Sequence, residues 1–285
     1  MAFIEIKNDE LLVRINTFGA ELWSVTDGRE EYIWQGDEAI WEDRAPVLFP
    51  ITCNMLKPTY TLRGVTYPMN PHGFARATEF TVEEASGSAV TLLLKSSEET
   101  KKMYPYDFLF RVRYTLAGRK LTAEYEVTNL SGEEMYYSTG AHEGHTLKGA
   151  VENYSIIFDE EETVSRYEIK ENGLMGEEPV PFLNGEREFL LSEDYFAIDG
   201  IILFDHKSRG LVLRDNRTGK ERRVEFAGHD TLLMWRMPNA EYLCIEPWAG
   251  APEKPWCNSD ELPEKFRIRA LSSGGVESFT HSITF

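Results

Sequence analysis

Phe108 to Thr128 reads FLFRVRYTLAGRKLTAEYEVT, and the fold class turns on this stretch. Two halves rich in β-branched and aromatic residues flank Ala117-Gly118-Arg119, a pattern that predicts a β-hairpin closed by a glycine-containing loop. Working outward, the same alternating or β-branched patterning recurs from Phe3 to Ile6, Leu11 to Ile15, Tyr60 to Tyr67, Val90 to Lys95 and Ser278 to Phe285. No helical period is sustained; Ser97 to Met103 and Ser259 to Phe266 are a turn or two long. About fifteen short strands with regular turn signals predict an all-β chain, an antiparallel sandwich or barrel with few short helices. No linker or composition break divides residues 1–285, so one domain is expected. The acidic run Asp159 to Glu162, with the polar stretch to Glu178, reads as a solvated loop.

The composition is globular: 42% of the 285 residues are hydrophobic and 27% are charged, interspersed rather than blocked. At about 300 residues a chain buries roughly three quarters of its surface, so a substantial core is available. Thirty basic against 48 acidic residues give a net charge of −18, which argues against nucleic acid and anionic membranes as partners. The first ten residues lack a basic, then apolar, leader, and no apolar run approaches the ~20 residues needed to span a bilayer. A soluble cytoplasmic protein is therefore the expectation. Cys53, Cys244 and Cys257 are odd in number and far apart, which fits reduced thiols rather than a disulfide framework or a metal knuckle.

Chemistry concentrates in Ser138 to His145, STGAHEGH. A helical zinc site needs H-E-x-x-H; here the spacing is H-E-x-H, and on a strand His142 and His145 point to opposite faces, so they do not share a metal. No metal and no cofactor are expected. Along an extended strand Tyr136, Ser138, Gly140 and His142 share one face, whose small residues leave room for a ligand beside the imidazole. A buried histidine bonded to backbone is the other reading of this stretch, and the stretch alone leaves both open. In Tyr242-Leu-Cys-Ile-Glu-Pro-Trp, alternation puts Tyr242, Cys244 and Glu246 on one face, and Glu246 interrupts an otherwise apolar strand. Pro247 is expected to end the pairing, leaving the carboxylate at a strand end beside Trp248. Further candidates are His72 and Arg76 in Asn70-Pro-His-Gly-Phe-Ala-Arg, Asp199 before an apolar strand, and Arg44 before Ala45-Pro-Val-Leu-Phe-Pro. Phosphate-cradling loops and the G-x-S-x-G elbow are missing.

Arg44-Ala-Pro-Val-Leu-Phe-Pro, His72-Gly-Phe-Ala-Arg76, Tyr106-Asp-Phe with the hairpin after it, Ser138-Thr-Gly-Ala-His142 and Cys244-Ile-Glu246-Pro-Trp-Ala-Gly together resemble the aldose 1-epimerase (galactose mutarotase) family, in its LacX-like branch. The resemblance spans nearly the whole chain. It implies a large antiparallel β-supersandwich and a cofactor-free interconversion of the α and β anomers of a free hexose. By the same resemblance Glu246 is the general base, His142 a protonated general acid, and His72, Arg44 and Asp199 bind the sugar, with Trp248 and Tyr136 available to stack on it. Relatives in this branch usually carry Pro after the histidine and Phe soon after, where this chain has Glu143-Gly144-His145. Three other functions fit some of these residues. Arg76 and Arg44 could grip a hexose 6-phosphate, the scaffold could bind sugar without catalysis, and Asp199 with Glu246 could nominally serve a glycoside hydrolase.

Overall fold

Phe108–Ala117 and Lys120–Asn129 form the expected hairpin, pairing antiparallel from Phe108 opposite Asn129 to Ala117 opposite Lys120. Phe110, Val112, Tyr114, Leu121, Ala123, Tyr125 and Val127 are buried, as the period of two requires. The computed structural model describes residues 2–52, 54–170, 173–197, 200–254, 256 and 259–285. Among them a 14-stranded sheet contains the hairpin, and three smaller sheets of two or three strands surround it. All of the strand pairings are antiparallel.

From one end the large sheet runs Thr139–Gly140, Tyr242–Ala249, Thr231–Trp235, Gly200–Phe204, Tyr154–Glu168 and Gly210–Asp215, and then Glu221–Glu225, Val276–Thr284 and the hairpin. Beyond the hairpin the path continues through Ala89–Lys95 to Thr81–Ala85, and Phe110 and Val112 near this end share a buried cluster with Leu243 and Ile245 near the other. A flat sheet could not bring them together, so the sheet turns back on itself and its inner faces pack as a sandwich. Tyr60 to Tyr67 splits into Thr59–Leu62 and Val65–Pro68 because Arg63 and Gly64 both take left-handed φ, 53° and 77°, the requirement of a two-residue turn. Of the short helical segments, Glu98–Lys101 is one turn of α-helix, capped by Ser97 and Thr100, and Leu262–Glu264 is a 3-10 turn.

The acidic run is not a loop. Asp159 to Glu162 lies within the strand Tyr154–Glu168, and Glu162 is fully buried, its two oxygens accepting from the Lys207 and Ser208 amides at 3.1 and 2.7 Å. Charge density misleads here because one acid of the four is a structural acceptor. Glu162→Ala strands both amides and should cost about 1–3 kcal/mol in urea unfolding, with Glu162→Gln losing less because one acceptor survives. Equal stability for Glu162→Ala and wild type would contradict this role.

Histidines are also drawn inside. His145, His206, His229 and His281 are all buried, and His281 Nε2 sits 2.6 Å from Glu143 Oε1. Burial pushes His145 and His229 down to about 3. Neither ring nitrogen of His145 meets a hydrogen-bond partner among the described residues. In the unfolded chain a histidine titrates near ~6.5. Above that pH both states are neutral and nothing is lost; below it the unfolded chain takes up protons that these rings refuse, so stability falls as pH drops from ~6.5 toward 3. At pH 5.5 each ring should cost roughly 1 kcal/mol. Urea midpoints measured at pH 7.5 and 5.5 should show the loss, and His145→Leu should recover one ring's share of it, since burial lowers His72, His142, His206 and His229 as well; a flat profile for wild type would contradict the buried neutral rings.

Candidate active site

His142 and Glu246 meet because two neighbouring strands keep one register. Gly140 lies opposite Trp248 and Glu143 opposite Ile245. The same register sets His142 opposite Glu246, where side chains on a shared face are within reach. Their atoms approach to 3.4 Å, His142 Nε2 to Glu246 Oε2, with Glu246 fully buried and His142 7% exposed.

Pro247 does not end its strand, contrary to expectation. Tyr242–Ala249 runs through it: Pro247 opposes Leu232, and its carbonyl accepts from the Ala141 amide at 3.1 Å. A proline removes a donor but keeps an acceptor. The interruption appears in the neighbouring chain, where Ala141 and His142 fall between the strands Thr139–Gly140 and Glu143–Thr146. Glu246 is therefore mid-strand, facing a gap in the ladder that His142 fills.

The room expected beside Gly140 is occupied. A Cβ on Gly140 would stand 2.2 Å from Cδ1 of Trp248, so glycine is what lets the indole lie against the strand. Trp248 Nε1 then donates to the Ala141 carbonyl at 3.1 Å, fixing the backbone next to His142. His72 comes from a loop pinned elsewhere: the Phe74 and Ala75 amides both donate to the Phe49 carbonyl, while Leu48 bridges to Gly140. Pro46 to Pro50 thus ties the His72 loop to the His142 strand. His72 itself takes a left-handed φ of 62°, and its ring lies edge-on to His142 with centroids 5.4 Å apart.

These groups open into a cavity of about 270 Å³ lined by His72, Arg76, His142, Glu246 and Trp248, and also by Trp41 and Trp235. The two last tryptophans were not anticipated from sequence. Trp41 stacks obliquely on His142 at 5.2 Å between centroids, and Trp235, opposite Cys244 in register, meets His142 edge-on at 5.6 Å. Their signal was weak: Trp235 ends a short apolar strand, and Trp41 precedes Arg44 in a loop. Gly144 makes room for Trp41, since a Cβ there would lie 2.9 Å from that ring.

Other expected residues are placed differently. Arg44 does not line this cavity; its guanidinium lies over Trp23, 3.6 Å from the ring centroid. Tyr136 donates its hydroxyl to Glu134 instead of facing a ligand. Asp199 lies outside the described residues. Arg76 reaches the cavity but is already ion-paired with Asp43.

Electrostatics runs against a resting imidazolium at position 142. Burial, then His72 and Arg76, hold His142 well below the usual imidazole range, and burial with Arg76 brings His72 down to about 3. A larger cavity of about 660 Å³ lies around Tyr32, Tyr154 and Arg222. Its Lys148 and Lys220 both bond Glu30, and its Arg217 bonds Asp215. It holds charge pairs of the surface kind but no histidine. The smaller cavity is the one with acid/base chemistry. Among the described residues, only at its wall do a buried carboxylate, an imidazole and, two residues before Glu246 and behind the lining, a thiol converge: donor atoms of His142, Cys244 and Glu246 lie within 4.8 Å of one another.

Comparison with known proteins agrees with this architecture. The aldose 1-epimerase family profile matches residues 2–264. Protein LacX of Lactococcus lactis subsp. lactis, in its plasmid form, is 37% identical over 262 residues, 87% of each chain. A galactose mutarotase related enzyme from Lactobacillus acidophilus superposes with a TM-score of 0.92 at 30% identity, covering 99% of this chain and 97% of its own. A galactose mutarotase-like protein from Lactobacillus casei ATCC 334 follows at 0.89 and 26%, covering 99% of both chains. With the supersandwich and the profile match extending over nearly its whole length, this chain belongs to the aldose 1-epimerase family.

Proposed function

We propose that this protein interconverts the α and β anomers of a free hexose, with Glu246 as general base and His142 as general acid. The observation that carries the reading is the register pair, imidazole against carboxylate at 3.4 Å, at the wall of a cavity edged by three tryptophans. Glu246 takes the proton of the C1 hydroxyl, the freed electron pair forms the C1 carbonyl, and the bond from C1 to the ring oxygen breaks. His142 delivers its proton to that oxygen. Rotation about the C1–C2 bond presents the other carbonyl face, and the same transfers in reverse close the ring.

The pair titrates as a unit. Neutral histidine with protonated glutamate, and imidazolium with carboxylate, are two placements of one proton. Burial favours the neutral imidazole. Sugar hydroxyls entering beside the pair supply hydrogen bonds to the charged one, so the reactive form arises with substrate in place.

Size and charge indicate the substrate class. About 270 Å³ lies just under the ~300–1,000 Å³ of sites for drug-sized ligands, which suits one monosaccharide. Trp41, Trp235 and Trp248 offer apolar faces for its C–H surface, while His72 and Arg76 offer polar contacts to hydroxyls. Arg76 is the one cationic side chain among the described lining residues, and Asp43 already neutralises it, which favours a free hexose over its 6-phosphate.

Anomer exchange followed by polarimetry or proton NMR tests the reading. Glu246→Gln and His142→Gln should each lower the rate by about 10²–10⁴-fold. If Glu246→Gln exchanges as fast as wild type, the acid/base assignment is wrong; sugar binding without exchange by wild type would instead indicate a binding protein. Glucose and galactose should be turned over with higher kcat/KM than their 6-phosphates, and the opposite order would return Arg76 to the role of a phosphate grip.

A further inference from the structure

We infer that the cavity doubles as a site for a thiophilic divalent cation, zinc being the best fit, held by His142 Nε2, Cys244 Sγ and a carboxylate oxygen of Glu246. Cys244 has no part in the epimerisation chemistry, yet it stands on the same strand face as Glu246 and shares its register neighbourhood with Trp235. All three side chains are buried, and their donor atoms lie within 4.8 Å of one another.

The geometry is close to that of a bound ion. Two ligand atoms at about 2.0–2.1 Å from zinc, spread at the tetrahedral angle, stand roughly 3.3 Å apart, and a sulfur at ~2.3 Å stands roughly 3.6 Å from either. His142 Nε2 and Glu246 Oε2 are 3.4 Å apart, so one edge of the tetrahedron is already set. Bringing all three atoms to these separations needs a shift of about 1 Å or less from the 4.8 Å limit. One imidazole, one thiolate and one carboxylate form a mixed set suited to zinc, unlike the all-oxygen sets of calcium and magnesium. Three protein ligands leave a fourth position for water, and two of the three, His142 and Glu246, line the cavity.

Binding exchanges the thiol proton of Cys244 for the metal: the S–H bond breaks, an S–Zn bond forms, and one proton leaves to solvent. The ion takes up the lone pairs of both groups that the sugar needs. Zinc is therefore an inhibitor here, competing with the hexose for the same cavity. His142 and His145 are not the pair involved; the sequence argument against their sharing a metal stands, because His145 points into the core.

Inhibition rests on the acid/base reading above, whereas binding does not, so the test has two separate arms. In the first, full-length metal-free protein is titrated with Zn²⁺ against a chromophoric chelator and with Co²⁺ under ultraviolet–visible spectroscopy. Wild type should take up one tight equivalent and show a thiolate-to-cobalt charge-transfer band. Cys244→Ala should bind at least ~10-fold more weakly, the loss that even removal of a supporting residue causes at metal sites, and should lack the band. In the second, anomer exchange by wild type should fall with added Zn²⁺ and return with EDTA, while Cys244→Ala, measured against its own zinc-free rate, should resist the metal. Equal zinc affinity for wild type and Cys244→Ala, or no cobalt–thiolate band in wild type, overturns the proposal. If wild type shows no exchange at all, the binding arm still decides. Should Cys244→Ala unfold, the near-isosteric Cys244→Ser gives the same two readouts, since it keeps the volume and removes the thiolate.

Discussion

The site depends on one constraint, the register shared by Tyr242–Ala249 and the broken strand beside it. With Gly140 against Trp248 and Glu143 against Ile245, His142 has no other carboxylate to face than Glu246. A slip of one residue would turn every side chain of the segment to the opposite face, burying His142 in the core and presenting Glu143 to the cavity. Tight contacts on both sides oppose that slip. Gly140 admits the Trp248 indole where no larger residue could, Gly144 admits Trp41, and Gly73 rests on the Phe49 carbonyl at a distance that excludes a Cβ. Small residues set the positions from which large ones define the cavity.

Burial then determines how the pair behaves. In a chain of net charge −18 an exposed imidazole would be pulled toward its charged form, yet His72 and His142 are held neutral. Desolvation outweighs the distant acids because those charges act through water, screened within about 8–10 Å, whereas the loss of hydration acts at the ring itself. The tryptophan walls therefore do more than touch a ligand: by burying the imidazole they help to hold His142 neutral.

Much of this was legible in the sequence. Strand content, the hairpin at Phe108 and the face shared by Cys244 and Glu246 follow from periodicity, whereas a site role for His72 comes from the family resemblance and one for Arg76 from its charge. What was missed has a common cause. Pro247 reads as a strand terminator because the missing donor is a local fact, while the N–H that pairs its carbonyl and keeps the strand going is donated by Ala141, more than a hundred residues away. Arg44 reads as a binding group because its charge is visible and the indole of Trp23 beneath it is not. Glu162 was masked by its acidic neighbours, and Trp41 and Trp235 have meaning only once the register brings them to His142.

The segment carries two acid–imidazole pairs, one on each face, and their difference separates structure from chemistry. Toward the core, Glu143 and His281 approach to 2.6 Å, a contact closed to anything else and at the short end for a charge-assisted hydrogen bond. Toward the cavity, His142 and Glu246 stop at 3.4 Å, beyond the 2.7–3.2 Å of a good N–H···O bond. Both pairs use the same residue types at similar depth, so composition alone would not tell them apart. The inner pair is packed against Tyr125 and His229, whereas the outer one borders a cavity that a ligand can enter. Glu143 and His145 therefore belong to the back of the segment, which is closed by packing, while its working face presents His142 to the cavity.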